Sequence, residues 1–284
     1  MEHQAESELM QELGLVARNH QFPIATKVRE SFEIQGTCVA IGDGKNHFLV
    51  TASHVTNLRH DAADHELYLF NWLDNKFIRI EEDIVGYNEV EIPREFDVSI
   101  IKIQRDRFQA IPDENFLRPE AIFVDRGESL KSLYALSGFP ASKNRSFPKY
   151  ISAPRLLCFF TDKITEKREA NALNSNNSFT LALKYDHPDA PDAYGMSGGA
   201  LWILTTELPR NPALAGILVS WHRGENTIFA VKMDFIISII KGFFPGSRFD
   251  DIPTAMLTIE NGEKAYLCIP AKAFASGEVP DSDI

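Results

Sequence analysis

The segment Tyr194-Gly195-Met196-Ser197-Gly198-Gly199-Ala200 places one serine within a run of glycines. Glycine tolerates backbone angles and close contacts that other residues resist, so this run can turn sharply and hold the serine hydroxyl outward. Neighbouring backbone N–H groups would then point to one spot beside the hydroxyl, as acyl transfer requires. Gly-Ser-Gly runs also form ordinary surface turns, so the segment alone does not distinguish a nucleophile from a turn.

Two upstream residues favour the nucleophile. A reactive serine needs a base to accept its proton and a third group to orient that base. The chain offers His54, which ends the run Thr51-Ala52-Ser53-His54, and Asp97, which precedes the run Val98-Ser99-Ile100-Ile101. A histidine beside an apolar strand more often has a structural role, as we expect for His47. An aspartate before such a strand often only marks the position where the strand begins. The order His, Asp, Ser is one of the few in which this triad recurs.

Together these blocks resemble the chymotrypsin-like (trypsin-like) serine peptidases of the intracellular or bacterial type, and the resemblance spans roughly residues 30–245. A fourth block, Gly216-Ile217-Leu218-Val219-Ser220-Trp221, is similar to the family's strand after the nucleophile. The resemblance implies an all-β fold of two antiparallel six-stranded β-barrels that meet at a cleft. His54 and Asp97 would lie on the first barrel and Ser197 on the second, with a helix after the last strand.

The family's mechanism implies a role for each of these residues. Ser197 would attack the scissile carbonyl carbon, His54 would act as general base and then general acid, and Asp97 would orient the imidazole. The amides of Gly195 and Ser197 would form the oxyanion hole. We therefore expect a serine endopeptidase that acts on a protein or peptide through an acyl-enzyme. The competing hypothesis is a chymotrypsin-fold binding or regulatory module without turnover; chain order excludes an α/β-hydrolase esterase.

Five further residues are expected to bind substrate. Ser220 matches the family's serine that bonds the triad aspartate, and Trp221 would either wall the cleft or belong to the core. His222 stands where the family has glycine and would narrow the specificity pocket or reach the substrate. Pro191 and Asp192 lie in the loop that should form part of this pocket. The aspartates of that loop would either attract a basic P1 side chain or face water.

Length and charge limit the other functions. The chain has 284 residues, enough for one or two domains, and a formal net charge of −11. This acidic balance argues against a non-specific nucleic-acid binder, which needs concentrated Lys and Arg, and it provides no polybasic segment for a membrane surface. No stretch approaches the ~18 apolar residues of a membrane span. Besides the substrate, a regulatory protein is the partner that we expect.

The cysteines and the N-terminal residues favour a reducing compartment. Cys38, Cys158 and Cys268 are too few and too scattered for a disulfide scaffold, and none has zinc-site spacing. The Asp-His-Pro-Asp run at 186–189 matches no common metal site, so we expect neither a metal nor a cofactor. The acidic N-terminus lacks the features of a secretory signal, which predicts a cytoplasmic location. Met196 replaces the aspartate of secreted members, so we do not expect zymogen cleavage to activate the protein.

Hydrophobic patterning divides the chain into four parts. Residues 1–21 form a helical segment in which Leu9, Leu13 and Val16 share one face, predicted to pack against the fold or a partner. Residues 22–120 form the first barrel, 121–246 the second, and 247–284 an appendage with a disordered end at 276–284. Predicted strands cover residues 33–41, 47–53, 67–73, 76–80, 98–103, 122–124, 132–137, 155–160, 178–183, 200–204, 214–220, 227–231, 255–259 and 265–269, and a helix covers 234–241.

Overall fold

The computed structural model of this chain describes residues 2–56, 66–72, 74–80, 85–86, 96–105, 108–109, 111–124, 132–144, 147–148, 153–164, 179–186, 190–205, 212–244 and 246–252. Helix α1 spans Glu2–His20 and helix α2 spans Met233–Phe243. The strands of the described part are β1 Gln21–Val28, β2 Ser31–Gly42, β3 His47–Ala52, β4 Leu67–Asn71, β5 Lys76–Arg79, β6 Val85–Gly86, β7 Val98–Ile103, β8 Ser132–Gly138, β9 Phe147–Pro148, β10 Leu157–Thr161, β11 Thr180–Lys184, β12 Ala200–Thr205, β13 Ala213–His222 and β14 Thr227–Lys232.

The strands form two antiparallel sheets. The first has the order β5-β4-β1-β2-β3-β7-β6, with β9 added beside β2, and the second has the order β10-β8-β12-β13-β14-β11. In the first sheet β6 and β9 have two residues each, so six longer strands carry it. The predicted all-β fold is therefore confirmed, and it is consistent with the two-barrel chymotrypsin-like fold. The predicted C-terminal helix is confirmed as α2.

The strand prediction was wrong at β1 and at residues 122–124, and it also missed the two-residue strands β6 and β9. Strand β1 was not predicted, because Pro23 interrupts an otherwise β-prone run; β4 pairs with β1 only from Ile24 to Thr26, so the proline lies outside the doubly paired part. Residues 122–124 were predicted as a strand, but Ile122 makes only an isolated bridge to Leu214. The turn that precedes it begins at Pro119, whose fixed φ starts a 3-10 helix.

Some predictions lie outside the described residues. These are most of the polar loop at 161–177, the strand pair at 255–259 and 265–269, and the tail at 276–284. The four-part division of the chain stays a prediction as well. One short strand crosses its boundary, because β9 belongs to the segment assigned to the second barrel but pairs with β2 of the first sheet.

Both helices pack against the sheets. Helix α1 buries Leu9, Leu13 and Ala17, which confirms the predicted packing, while Val16 stays half-buried. Helix α2 is almost wholly apolar on its buried side and lies against β13 and β14. No helix of the described part is both long enough and apolar enough to span a bilayer.

A polar contact fixes the two sheets relative to each other inside this core. The hydroxyl of Ser137 on β8 accepts a hydrogen bond from the indole N–H of Trp202 at 2.6 Å. The side-chain amide of Gln21 on β1 bonds the same hydroxyl. All three residues are fully buried, so these bonds are shielded from competing water. These bonds connect β1 of the first sheet with β8 and β12 of the second.

Candidate active site

His54 and Asp97 come together because their strands are paired. Strand β3 ends at Ala52 and residues 53–56 are helical, so His54 lies in the first turn after the strand. Asp97 immediately precedes β7, and Ala52 is the direct partner of Val98. The imidazole Nδ1 of His54 lies 2.6 Å from Oδ2 of Asp97. The structure therefore brings these two residues into direct contact.

Further hydrogen bonds fix the carboxylate of Asp97. The hydroxyl of Ser53 donates to Oδ1 at 2.6 Å, and the backbone N–H of His54 donates to the same oxygen at 2.9 Å. The Ser53 N–H also donates to the Asp97 carbonyl at 2.9 Å. Asp97 has a φ of +48°, in the left-handed region that aspartate tolerates better than most residues. Sequence reasoning missed Ser53, although it stands directly before His54 in the same block.

These contacts keep Asp97 ionised at neutral pH. Burial by itself raises the pKa of Asp97, but the hydrogen bonds and charge of His54, together with the Ser53 hydroxyl, outweigh it and hold the pKa below its usual value. The side chain of Asp97 is 24% exposed and that of His54 is 52% exposed. The carboxylate is thus partly shielded, while the imidazole stays open to an incoming molecule.

The loop that carries Ser197 (the serine loop, residues 194–199) depends on glycines to reach the first sheet. Gly195 and Gly198 have φ values of +89° and +83°, which L side chains rarely adopt. A Cβ atom on Gly198 would lie 1.9 Å from the carbonyl oxygen of Thr37 and 2.2 Å from Oγ1 of Thr51. The loop therefore packs directly against β2 and β3. Since β3 leads into His54, this contact brings Ser197 to the side of the molecule where the His–Asp pair lies.

Thr37 is the residue of β2 that holds the loop in place. It is fully buried, its N–H donates to the Ser197 carbonyl at 2.8 Å, and its hydroxyl donates to the Gly195 carbonyl at 2.9 Å. The same hydroxyl accepts the N–H of Phe139 at 3.0 Å, and the Thr37 carbonyl accepts the hydroxyl of Thr51 at 2.6 Å. Sequence reasoning missed Thr37, because these contacts join residues that are far apart in the chain.

The backbone amides of the loop fall into two groups. Those of Met196, Gly198 and Gly199 donate to carbonyl groups of the protein at 2.6–2.9 Å. Within the part of the chain that the structure describes, the amides of Gly195 and Ser197 donate to no protein acceptor. These are the two amides expected to form an oxyanion hole, and the geometry leaves both available for an oxygen atom.

Ser197 itself is half-buried. Among the described residues, no hydrogen bond joins its hydroxyl to His54. In unliganded enzymes such bonds are often long and shorten when substrate binds. The protein thus brings the serine loop against β3, the strand that precedes His54, without a hydrogen bond between Ser197 and His54 among the described residues.

The other predicted site residues lie along the end of β13. Ser220, Trp221 and His222 pair with β14 and are half-buried. The rings of Trp221 and Tyr185 pack edge to face, with 6.0 Å between their centroids. The indole N–H of Trp221 is buried and has no hydrogen-bond partner in the described part of the chain. His222 contacts the ring of Phe229 at 4.9 Å.

Pro191 and Asp192 have structural contacts of their own. The carbonyl of Pro191 accepts the hydroxyl of Tyr185 at 2.9 Å, and the exposed carboxylate of Asp192 accepts the backbone N–H of Tyr194 at 3.0 Å. Burial, aided by the charge of Asp192, raises the pKa of Tyr185 and keeps its hydroxyl a donor. Of the other two aspartates of this loop, Asp186 is exposed and the one at position 189 lies outside the described residues.

Comparisons with known proteins add little to this geometry. No family model matches the chain, and no curated protein matches it. One solved structure comes from a study of aromatic interactions that drive the coupled folding and binding of the intrinsically disordered Sesbania mosaic virus VPg protein. It aligns at 13% identity with a TM-score of 0.44, over 77% of this chain and 87% of that chain. A likeness of this size assigns neither a family nor a function.

Proposed function

We propose that this protein is a serine endopeptidase in which Ser197 is the nucleophile, His54 the general base and Asp97 the residue that orients it. The observation that carries the proposal is the hydrogen-bonded His54–Asp97 pair beside a loop whose Gly195 and Ser197 amides are available. A fixed imidazole and two convergent donors are what acyl transfer requires.

In the proposed mechanism each group has one role. Asp97 accepts a hydrogen bond from the Nδ1–H of His54, which leaves Nε2 free to take the proton of the Ser197 hydroxyl as Oγ attacks the carbonyl carbon. The carbonyl oxygen becomes an oxyanion, and the amides of Gly195 and Ser197 donate to it. His54 then passes the proton to the leaving amine as the C–N bond breaks. In deacylation a water molecule gives a proton to His54 and attacks the acyl carbon, and His54 returns the proton to Oγ of Ser197 as the ester bond breaks.

An open strand edge supports a peptide as the substrate. Strand β12 pairs with β13 only as far as Ile217, and Leu218 bonds the serine loop, whereas β14 pairs with β13 as far as His222. At Trp221 and His222, β13 therefore has no strand neighbour on the β12 side within the described part of the chain. An extended peptide that pairs along this edge would run past Ser197.

One observation favours the second candidate, a binding or regulatory module without turnover. No hydrogen bond joins the Ser197 hydroxyl to His54 among the described residues, so the serine is not activated in this conformation. In such a module the cleft would hold a peptide without acylation. The two candidates differ in whether the serine reacts at all.

Labelling with a fluorophosphonate probe tests the proposal, because this reagent needs an activated serine and not a good substrate. We expect the wild type to be labelled, and Ser197→Ala and His54→Ala to remain unlabelled while folded. Ser31→Ala is the matched control, since its hydroxyl only bonds the Val28 carbonyl within the β1–β2 hairpin. Labelling of Ser197→Ala at the wild-type rate would refute Ser197 as the nucleophile, and a folded, unlabelled wild type would favour the binding module.

A further inference from the structure

Tyr194 connects the serine loop to the first sheet through its side chain. It directly precedes Gly195, and the residue is 58% exposed although it is a large aromatic. Its hydroxyl donates to Oε1 of Gln35 on β2 at 2.6 Å. Gln35 is oriented in turn, because its amide N–H donates to Oγ1 of Thr26 on β1 at 2.9 Å. The glutamine therefore presents its carbonyl oxygen to the tyrosine in a fixed direction.

The backbone of Tyr194 is held by the other half of the molecule. Its carbonyl accepts the N–H of Ala141 at 2.7 Å, in the segment that follows β8. Its N–H donates to the carboxylate of Asp192 in its own loop. Tyr194 thus has its main chain attached on the side of the second sheet and its side chain attached to the first.

These attachments control one peptide group. The carbonyl of Tyr194 and the N–H of Gly195 belong to the same planar trans peptide, so they point in opposite directions. The bond to Ala141 fixes the carbonyl and consequently aims the Gly195 N–H away from Ala141. Glycine offers little resistance to rotation of its backbone, so this peptide is restrained by the contacts of Tyr194 on one side and by the bond from the Thr37 hydroxyl to the Gly195 carbonyl on the other.

We infer that Tyr194 is a positioning residue: its hydrogen bond to Gln35 holds the 194–195 peptide so that the Gly195 N–H faces the reacting carbonyl oxygen. The inference rests on the proposed function and deepens it. It gives Tyr194 and Gln35 a role in stabilising the transition state, where the oxyanion exists, and none in ground-state affinity.

The hydroxyl stays a donor over the useful pH range. Burial raises the pKa of Tyr194, and the neighbouring Glu33 carboxylate raises it further. The phenol therefore remains protonated at neutral and mildly alkaline pH, and the bond to Gln35 is retained there. Its contribution is expected to be constant across the pH range in which His54 acts as a base.

A double-mutant cycle tests the inference. We expect Tyr194→Phe and Gln35→Leu each to lower the rate of fluorophosphonate labelling and the kcat for a peptide by about tenfold. This loss is smaller than the roughly 10²–10³-fold fall in kcat that follows the complete removal of one oxyanion-hole donor. KM stays unchanged, and the double variant loses no more than either single one, because both changes remove one bond. Gln35→Glu, which keeps an acceptor oxygen, restores most of the rate.

Tyr68→Phe is the matched control, since its hydroxyl bonds Glu66 beside β4 and not the serine loop. Its labelling rate should equal that of the wild type. Any of four results would overturn this inference and leave the proposed function standing. They are a wild-type labelling rate in Tyr194→Phe, a rise in KM in place of the fall in kcat, additive losses of rate in the double variant, and losses of rate that follow the melting temperature of the variants. A folded wild type that is not labelled would overturn the proposed function and this inference with it.

Discussion

The acid–base pair and the serine loop are held in different ways. His54 and Asp97 lie beside the ends of two neighbouring strands of one sheet. The groups that fix the Asp97 carboxylate, the Ser53 hydroxyl and the His54 backbone N–H, come from two consecutive residues. The serine loop belongs to the second sheet but takes its shape from residues of the first, chiefly Thr37 and Gln35. The pair is thus built within one sheet, whereas the loop is built only when the two sheets dock.

This difference indicates where activity is vulnerable. The His–Asp bond is already short, while the hydroxyl of Ser197 has no bond to His54 among the described residues. A change that disturbs the sheet junction should therefore remove the reactive serine before it disturbs the His–Asp pair. A protein partner that acted on this junction would regulate the proposed activity through the loop.

The largest expected effect comes from breaking the docking of the loop. A Cβ at Gly198 would overlap the Thr37 carbonyl and the Thr51 hydroxyl, and the residue would also keep a strained positive φ. We expect Gly198→Ala to lower the free energy of unfolding by at least about 4 kcal/mol, which thermal melting measures, and to abolish labelling. Gly224→Ala is the control, because nothing lies within 4 Å of its Cβ position. Equal melting temperatures for the two variants would contradict the docking.

A smaller effect is expected when the pair itself is broken. Asp97→Asn keeps the size of the side chain, but its amide N–H would face His54 and favour the wrong tautomer, which costs about 10⁴ in kcat in such triads. Hydrolysis of a peptide and thermal melting would be measured together. Asp74→Asn, at an exposed carboxylate paired with Lys76, is the control. An Asp97→Asn variant within tenfold of the wild-type kcat would show that Asp97 does not orient the base.

The sequence predicts the first region better than the second. His54 follows an apolar run and Asp97 precedes one, and antiparallel pairing of these two strands is enough to bring the two positions together. Thr37 and Gln35 were not predicted, because their bonds join residues 158 and 159 positions apart and depend on how two sheets dock. The strand β1 was missed for a local reason, the proline at position 23, which strand patterns normally exclude.

The smallest effect concerns stability in the first sheet, and it separates His47 from His54. Burial lowers the pKa of His47, the Arg105 charge lowers it further, and Asp113, 3.4 Å away, only partly offsets this. Between that lowered pKa and about 6.5 the unfolded chain binds more protons than the folded protein, so stability falls as the pH decreases through this window. Chemical unfolding should show at most about 1.4 kcal/mol per pH unit for this group.

The variant His47→Gln is expected to reduce this slope without changing the labelling rate at neutral pH. His20 contributes in the same direction, because burial also lowers its pKa, and it accounts for part of the slope that remains. A slope that His47→Gln leaves unchanged would contradict a structural, neutral role for His47.

The most direct test of the central claim is to locate the fluorophosphonate adduct by peptide mapping with mass spectrometry, in the wild type and in His54→Ala. We expect one adduct on Ser197 in the wild type and none in His54→Ala. An adduct on another serine, or on Ser197 with equal yield in both proteins, would contradict a serine activated by the His54–Asp97 pair.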